Sequence, residues 1–180
     1  MEFAVLYLGV ARPEVVGYAL DAGLAFMPVT LADRFDGPAA VAACRAVGLP
    51  EGCTVWLDVE GSSICPPTMA PEALIVRVER WALEMTDAGF EAGVYVGSPQ
   101  PLTAKELYAL RRVTRYWKAP SDVVDRFAVG SNGPSCGFSM FQVWPSVFWP
   151  DDADPDRVFV DVDFVSQDHR GRSPHWAVRD

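Results

Sequence analysis

The feature that most constrains this chain is a regular alternation of short apolar runs with helix-like segments. "FAVLYLGV" (3–10), "LAFMPVT" (24–30), "TVWLDVE" (54–60), "AGVYVGS" (92–98), "RYWKA" (115–119), "SMFQVWPS" (139–146) and "RVFVDVDFV" (157–165) read as strands. Between them lie "PEVVGYALDAG" (13–23), "DGPAAVAACRAVGLP" (36–50), "APEALIVRVERWALEMTDAGF" (70–90) and "TAKELYALRRV" (103–113). The third of these repeats Leu74, Val78, Trp81, Ala82 and Met85 near helical spacing, and Thr103 is placed to cap the fourth. "SDVVDRFA" (121–128) reads as a further short helix. Strands alternating with helices predict a parallel α/β sheet. Both an open doubly wound sheet and a barrel satisfy that alternation. The first strand is not followed by G-x-G-x-x-G, so a dinucleotide site lacks its main support.

Side-chain direction adds a second constraint, because residues i and i+2 of a strand share a face. Thr54, Trp56, Asp58 and Glu60 fall on one face, and Val55, Leu57 and Val59 on the other. Tyr95 opposes Val94 and Val96. Gln142 and Trp144 oppose Phe141 and Val143. Asp161 and Asp163 oppose Val158, Val160 and Val162. Four strands thus carry polar or aromatic groups on one face and aliphatic groups on the other. In a β/α barrel the aliphatic face meets the outer helices, and polar groups gather at the C-terminal mouth. Asp58 and Glu60 are therefore expected to line a pocket with Asp161 and Asp163. The plainer alternative is solvated strand ends, or carboxylates paired with Arg and Lys. For Trp56 and Trp81 the plainer reading is core packing.

Composition narrows the partners. The 180 residues are 50% hydrophobic, enough for one core, and residues 1–180 are read as one domain with a polar tail at 166–180. The formal charge of −9 argues against nucleic acid or anionic lipid as the main partner. Nothing is apolar over a length that spans a membrane. "MEFAVLYLGV" shows neither a basic leader nor a cleavage site, so no signal peptide is expected. The protein is expected to be made in the cytoplasm, with export by another route left open.

Cys44, Cys53, Cys65 and Cys136 form no C-x-x-C pair and have no histidine at ligand spacing. They read as reduced thiols, with a Cys44–Cys53 disulfide as the alternative, and no metal or cofactor is expected. "GPSCG" (133–137) fits G-x-S-x-G formally but lacks the strand before and helix after that a nucleophile elbow requires. His169 and His175 sit in the polar tail and read as surface residues.

"LDVEG", "AGVYVGS", "YWKA", "FQVW" and "VDVDF" occur in the order found in lysozymes of glycoside hydrolase family 25. "LYLG", "AGLAFMPVT" and "AVGLPEGCTVWLDVE" resemble more closely a related group, the glycoside-hydrolase-like TIM-barrel domains of actinobacterial secreted proteins. The resemblance implies a TIM-type (β/α) barrel with seven strands here. The family's first strand, "GfDvS" with its aspartate, has no counterpart in this chain. A gap between the strands at 3–10 and 157–165 is then expected, either bridged directly, filled by the tail at 166–180, or covered by a partner chain through self-association at the incomplete edge.

The resemblance also implies a lysozyme-like, endolysin-type hydrolase of bacterial cell-wall glycan. Glu60 would be the general acid and Asp58 would orient or stabilise the reacting sugar. Asp161, with Asp163 nearby, would match the acidic position of the last strand. Tyr7, Trp56, Tyr95, Trp117, Gln142 and Trp144 would line the substrate pocket. Glycoside hydrolysis needs a proton-donating carboxyl and a second group that stabilises or traps the oxocarbenium-like centre, and a D-x-E pair supplies both. Two alternatives stand beside it: a non-catalytic glycan-binding barrel, and a protein-interaction or structural domain on the same scaffold.

Overall fold

The computed structural model describes residues 3–7, 13–21, 23, 25–32, 36–59, 69–96, 102–118, 140–149, 158–165, 167 and 171–177. They form one seven-stranded sheet in sequence order: β1 (Phe3–Tyr7), β2 (Ala25–Leu31), β3 (Thr54–Asp58), β4 (Glu91–Val96), β5 (Arg115–Lys118), β6 (Met140–Trp149) and β7 (Val158–Val165). Strands β1 to β6 pair in parallel, each with its sequence neighbour. The helices are α1 (Pro13–Asp21), α2 (Gly37–Ala46), α3 (Pro71–Asp87) and α4 (Ala104–Ala109).

Local chemistry sets the helix ends. Asp36 caps α2 by accepting a hydrogen bond from Ala39 N at 3.0 Å, and Pro38 occupies the first turn, where a missing N–H costs nothing. Past its last turn, Gly48 adopts a φ of 72° that a side chain would resist. Thr103 and Glu106 form a reciprocal capping box on α4. Helix α3 turns Leu74, Val78, Trp81, Ala82 and Met85 inward, packing on α2 and β4.

Both faces of β2 and β3 are buried, as a parallel sheet requires. Val55, Leu57 and Val94 join the helix residues in the core, while Trp56, Tyr95 and Trp117 fill the opposite face with aromatic rings. Close fit there depends on one glycine. A Cβ on Gly93 would lie 2.5 Å from Cε3 of Trp56, so the indole rests directly on the β4 backbone.

The TIM-barrel expectation is corrected by the end of the chain. Strand β7 pairs antiparallel with β6, from Met140–Val165 to Trp149–Val158, with an irregularity between Val143 and Val147. Pro145 lies in that irregularity and has no N–H to give a ladder. Residues 150–157 are too few to carry a crossover helix, and parallel pairing needs a connection of a dozen residues or more. Among the described residues β7 does not pair with β1, so the sheet does not close as a (β/α) barrel. The helix expected at 121–128 and the "GPSCG" segment lie outside the described residues.

Candidate functional site

Register brings a polar and aromatic row to the C-terminal end of the parallel strands. Asp58 pairs laterally with Tyr95, and Tyr95 with Trp117. Trp117 pairs with Met140, two residues before Gln142 on the same face. Trp56, Asp58, Tyr95, Trp117 and Gln142 thus share one face, four of them on three adjacent strands.

The contacts follow from that placement. Trp117 meets Tyr95 edge-on, with ring centroids 4.5 Å apart at 60°, and Trp56 at 5.7 Å and 65°. These are the edge-to-face geometries that ring quadrupoles favour. Tyr95 Oη donates to Gln142 Oε1 at 2.6 Å, linking β4 to β6 across β5. Gln142 is half-buried, and its amide nitrogen carries two further donors. Asp58 is fully buried at the end of β3, and its carbonyl accepts from Ala32 N at 3.1 Å. Trp56 Nε1 is buried without a hydrogen-bond partner among the described residues. That nitrogen lies on the edge of the indole away from the six-membered ring that rests on Gly93.

The expected site residues divide accordingly. Asp58, Trp56, Tyr95, Trp117 and Gln142 come together. Glu60, the expected general acid, lies outside the described residues. Tyr7, Trp144, Asp161 and Asp163 have backbone positions in β1, β6 and β7, with Asp163 opposite Gln142 in the register, but their side chains lie outside the description. Among the described residues one expected carboxylate, Asp58, reaches the site, and it is enclosed. No described group of three or more His, Cys, Asp or Glu residues could hold a metal ion. Among the described residues, the barrel mouth that was to gather two carboxylates around a glycosidic bond is not formed. The glycosidase assignment, with its lysozyme-like and endolysin reading, is therefore corrected.

A second polar cluster escaped the sequence reading. It sits at the opposite, N-terminal end of the strands. Arg115 opens β5 and is 4% exposed. Its Nη2 donates to Glu91 Oε1 at 2.8 Å, its Nε to Ser173 O at 3.0 Å and its Nη1 to Thr114 O at 3.2 Å. Thr54 Oγ1 donates to Glu91 Oε2 at 2.9 Å and accepts from His175 N at 2.8 Å. His175 Nδ1 lies 3.3 Å from Glu91 Oε2 while its side chain stays 64% exposed, the surface residue expected, tied in through its backbone. The signal was available: Thr54, Glu91 and Arg115 each stand first in an apolar strand, where an unpaired polar group would be costly.

Cys44 and Cys53 are free and buried, which overturns the disulfide alternative. Burial pushes the Cys44 thiol up to about 12, with a smaller contribution from Cys53. Burial, and then the charge of Glu91, push Cys53 up to about 11. Both are inert as nucleophiles at neutral pH. Cys65, Cys136 and His169 lie outside the described residues.

No family model matches the chain, and no curated protein matches it. The resemblance to family 25 lysozymes and their actinobacterial relatives is therefore not upheld. A solved structure does share the fold: the 1.07 Å crystal structure of an uncharacterized B. stearothermophilus protein. It superposes with a TM-score of 0.60 at 17% sequence identity, over 94% of this chain and 85% of the other. At that identity the likeness establishes the fold alone.

Proposed function

We propose that the C-terminal end of the parallel strands binds a neutral, hydroxyl-rich ligand without cleaving it, and that bacterial cell-wall glycan is the ligand class to test. The observation that carries this reading is the hydrogen bond from Tyr95, whose ring meets Trp117 edge-on, to Gln142. It fixes a half-buried amide, with donors to spare, beside the buried rings of Tyr95 and Trp117. Planar amides of this kind meet the hydroxyl and acetamido groups of sugars. The orphan N–H of Trp56 on the same face adds a buried donor that an acceptor would relieve.

The test is retention of the purified protein on insoluble cell-wall glycan, with soluble fragments as competitors. Wild type should be retained and displaced, and Gln142→Ala should lose about tenfold in affinity, the scale of one or two hydrogen bonds to ligand. Equal retention of both proteins would remove Gln142 from the site. Absence of retention for wild type would remove the glycan reading.

A further inference from the structure

We infer, on the ligand reading above, that Tyr95 is a positioning residue that sets the polarity of the site: it holds the amide of Gln142 by its oxygen, so that the N–H groups are left for a ligand and a hydrogen-bond acceptor is selected. The ligand group met there is then the acetamido carbonyl of an N-acylated amino sugar rather than a free amine.

A glutamine amide carries an acceptor at one end and donors at the other, and a half-turn exchanges them. The neighbour decides which end is left over. Tyr95 Oη lies 2.6 Å from Gln142 Oε1. That separation suits an O–H···O bond, whose heavy atoms approach to about 2.5 Å, and is short for N–H···O, which begins at about 2.7 Å. The half-turned amide, with its nitrogen against the hydroxyl, therefore fits this spacing poorly. Tyr95 is also held in place. It is 9% exposed, sits in register between Asp58 and Trp117, and meets the Trp117 ring edge-on at 4.5 Å. With the oxygen committed, both amide hydrogens remain, and among the described residues the nitrogen has no hydrogen-bond partner.

The row of polar side chains described here has Asp58 and Tyr95 buried and Gln142 half-buried. The amide N–H groups are therefore what this row presents. An acetamido carbonyl accepts from such a donor. The ammonium of the de-N-acylated sugar has donors and no lone pair, so it meets the amide hydrogens with like polarity. The chain's net charge of −9 draws the ammonium form from a distance. Long-range field and local contact thus oppose each other, and a preference for the acylated form isolates the contact.

Two soluble oligosaccharides of equal length test this on the intact protein, one of N-acetylglucosamine and one fully de-N-acetylated. Their affinities are compared at a pH that keeps the amine protonated, in about 0.15 M salt, which screens the long-range field. Wild type should bind the acetylated chain about tenfold more tightly, the scale of one well-placed hydrogen bond. Tyr95→Phe keeps the ring and frees the amide to turn, so the ratio of affinities should fall towards one. Gln142→Glu puts acceptors in place of the donors at nearly the same shape and should reverse the preference. An unchanged ratio in Tyr95→Phe would overturn the positioning role, because a purely structural tyrosine would weaken both chains alike. Equal affinity of wild type for both chains would overturn it too, while leaving the glycan reading standing. Binding of neither chain removes the glycan reading and the role of Tyr95 with it. Should Tyr95→Phe fail to fold, Gln142→Glu decides: a retained preference for the acetylated chain sinks the idea.

Discussion

The two ends of the same sheet solve the problem of polar groups in opposite ways. At the N-terminal end, Thr54, Glu91, Arg115 and the 171–177 segment tie four strands together, and Arg115 alone donates three bonds. At the C-terminal end the side chains described meet through ring edges and through the hydrogen bond from Tyr95 to Gln142. One end is cross-linked and the other is lined. A cross-linked end resists substitution and holds the fold. The lined end sets the half-buried amide of Gln142 beside buried rings.

Breaking the cross-linked end should cost most. Arg115→Met keeps the buried stem and removes the guanidinium. It leaves Glu91, whose side chain is 25% exposed, without its cation and Ser173 O without its donor. A loss of about 2–3 kcal/mol is expected, less than for a fully buried pair because water reaches Glu91. Chemical denaturation checks it. Glycan retention should be unchanged, since Arg115 lies at the far end of its strand. A variant that loses both would erase the division between the ends.

Gly93→Ala attacks the middle, where Trp56 lies against the β4 backbone. The new methyl would meet a fully buried indole that has no room to withdraw. Overpacking of this kind costs about 1–3 kcal/mol, read as a shift in denaturation midpoint. Unlike Arg115→Met, it should also disturb the lined end, because Trp56 touches Trp117. A change in near-ultraviolet circular dichroism, reporting the tryptophan environment, would show that coupling.

The sequence made one end more legible than the other. The strands and their faces follow from two-residue periodicity, which is why Asp58, Tyr95, Trp117 and Gln142 could be placed on one side. Sheet closure could not be read in that way, because periodicity is blind to strand direction. The length of the connection at 150–157 was the informative quantity: too short for a crossover, it forces β7 to return antiparallel to β6. The cross-linked end was missed because its partners are far apart in the chain, with 121 residues separating Thr54 from His175. Its sequence signal was limited to polar residues at strand starts, which also occur as ordinary solvated ends.

Alkaline pH should strain the cross-linked side of the molecule. Cys53 immediately precedes Thr54, and its thiol, like that of Cys44, is held protonated when folded: about 11 and about 12 against an ordinary 9.0. The unfolded chain releases these protons above pH 9 while the folded chain keeps them. Stability is therefore whole below pH 9 and falls as pH rises from 9 towards 11 and 12. The slope approaches about 1.4 kcal/mol per pH unit for each thiol. Denaturation at stepped pH should show it, and Cys53→Ala should remove its share. A Cys53→Ala protein with the wild-type slope between pH 9 and 11 would contradict the assignment to that thiol.

Tyr95→Phe is the mildest change and the sharpest test of the lined end. It removes one oxygen, keeps the ring against Trp117, and leaves Gln142 Oε1 without its donor. Because Gln142 is half-buried, water can replace that bond in part, so the stability loss should be about 1 kcal/mol or less. Ligand retention should suffer more than stability does. Gln142 without Tyr95 no longer has its amide orientation fixed, and either end of the amide can then face the ligand. Tyr95→Phe and Gln142→Ala should therefore weaken glycan retention together, and the double variant should be little worse than either alone, as expected for residues acting as one pair. Additive losses in the double variant would mean that the two side chains bind independently, and the hydrogen bond between them would then be incidental to the site.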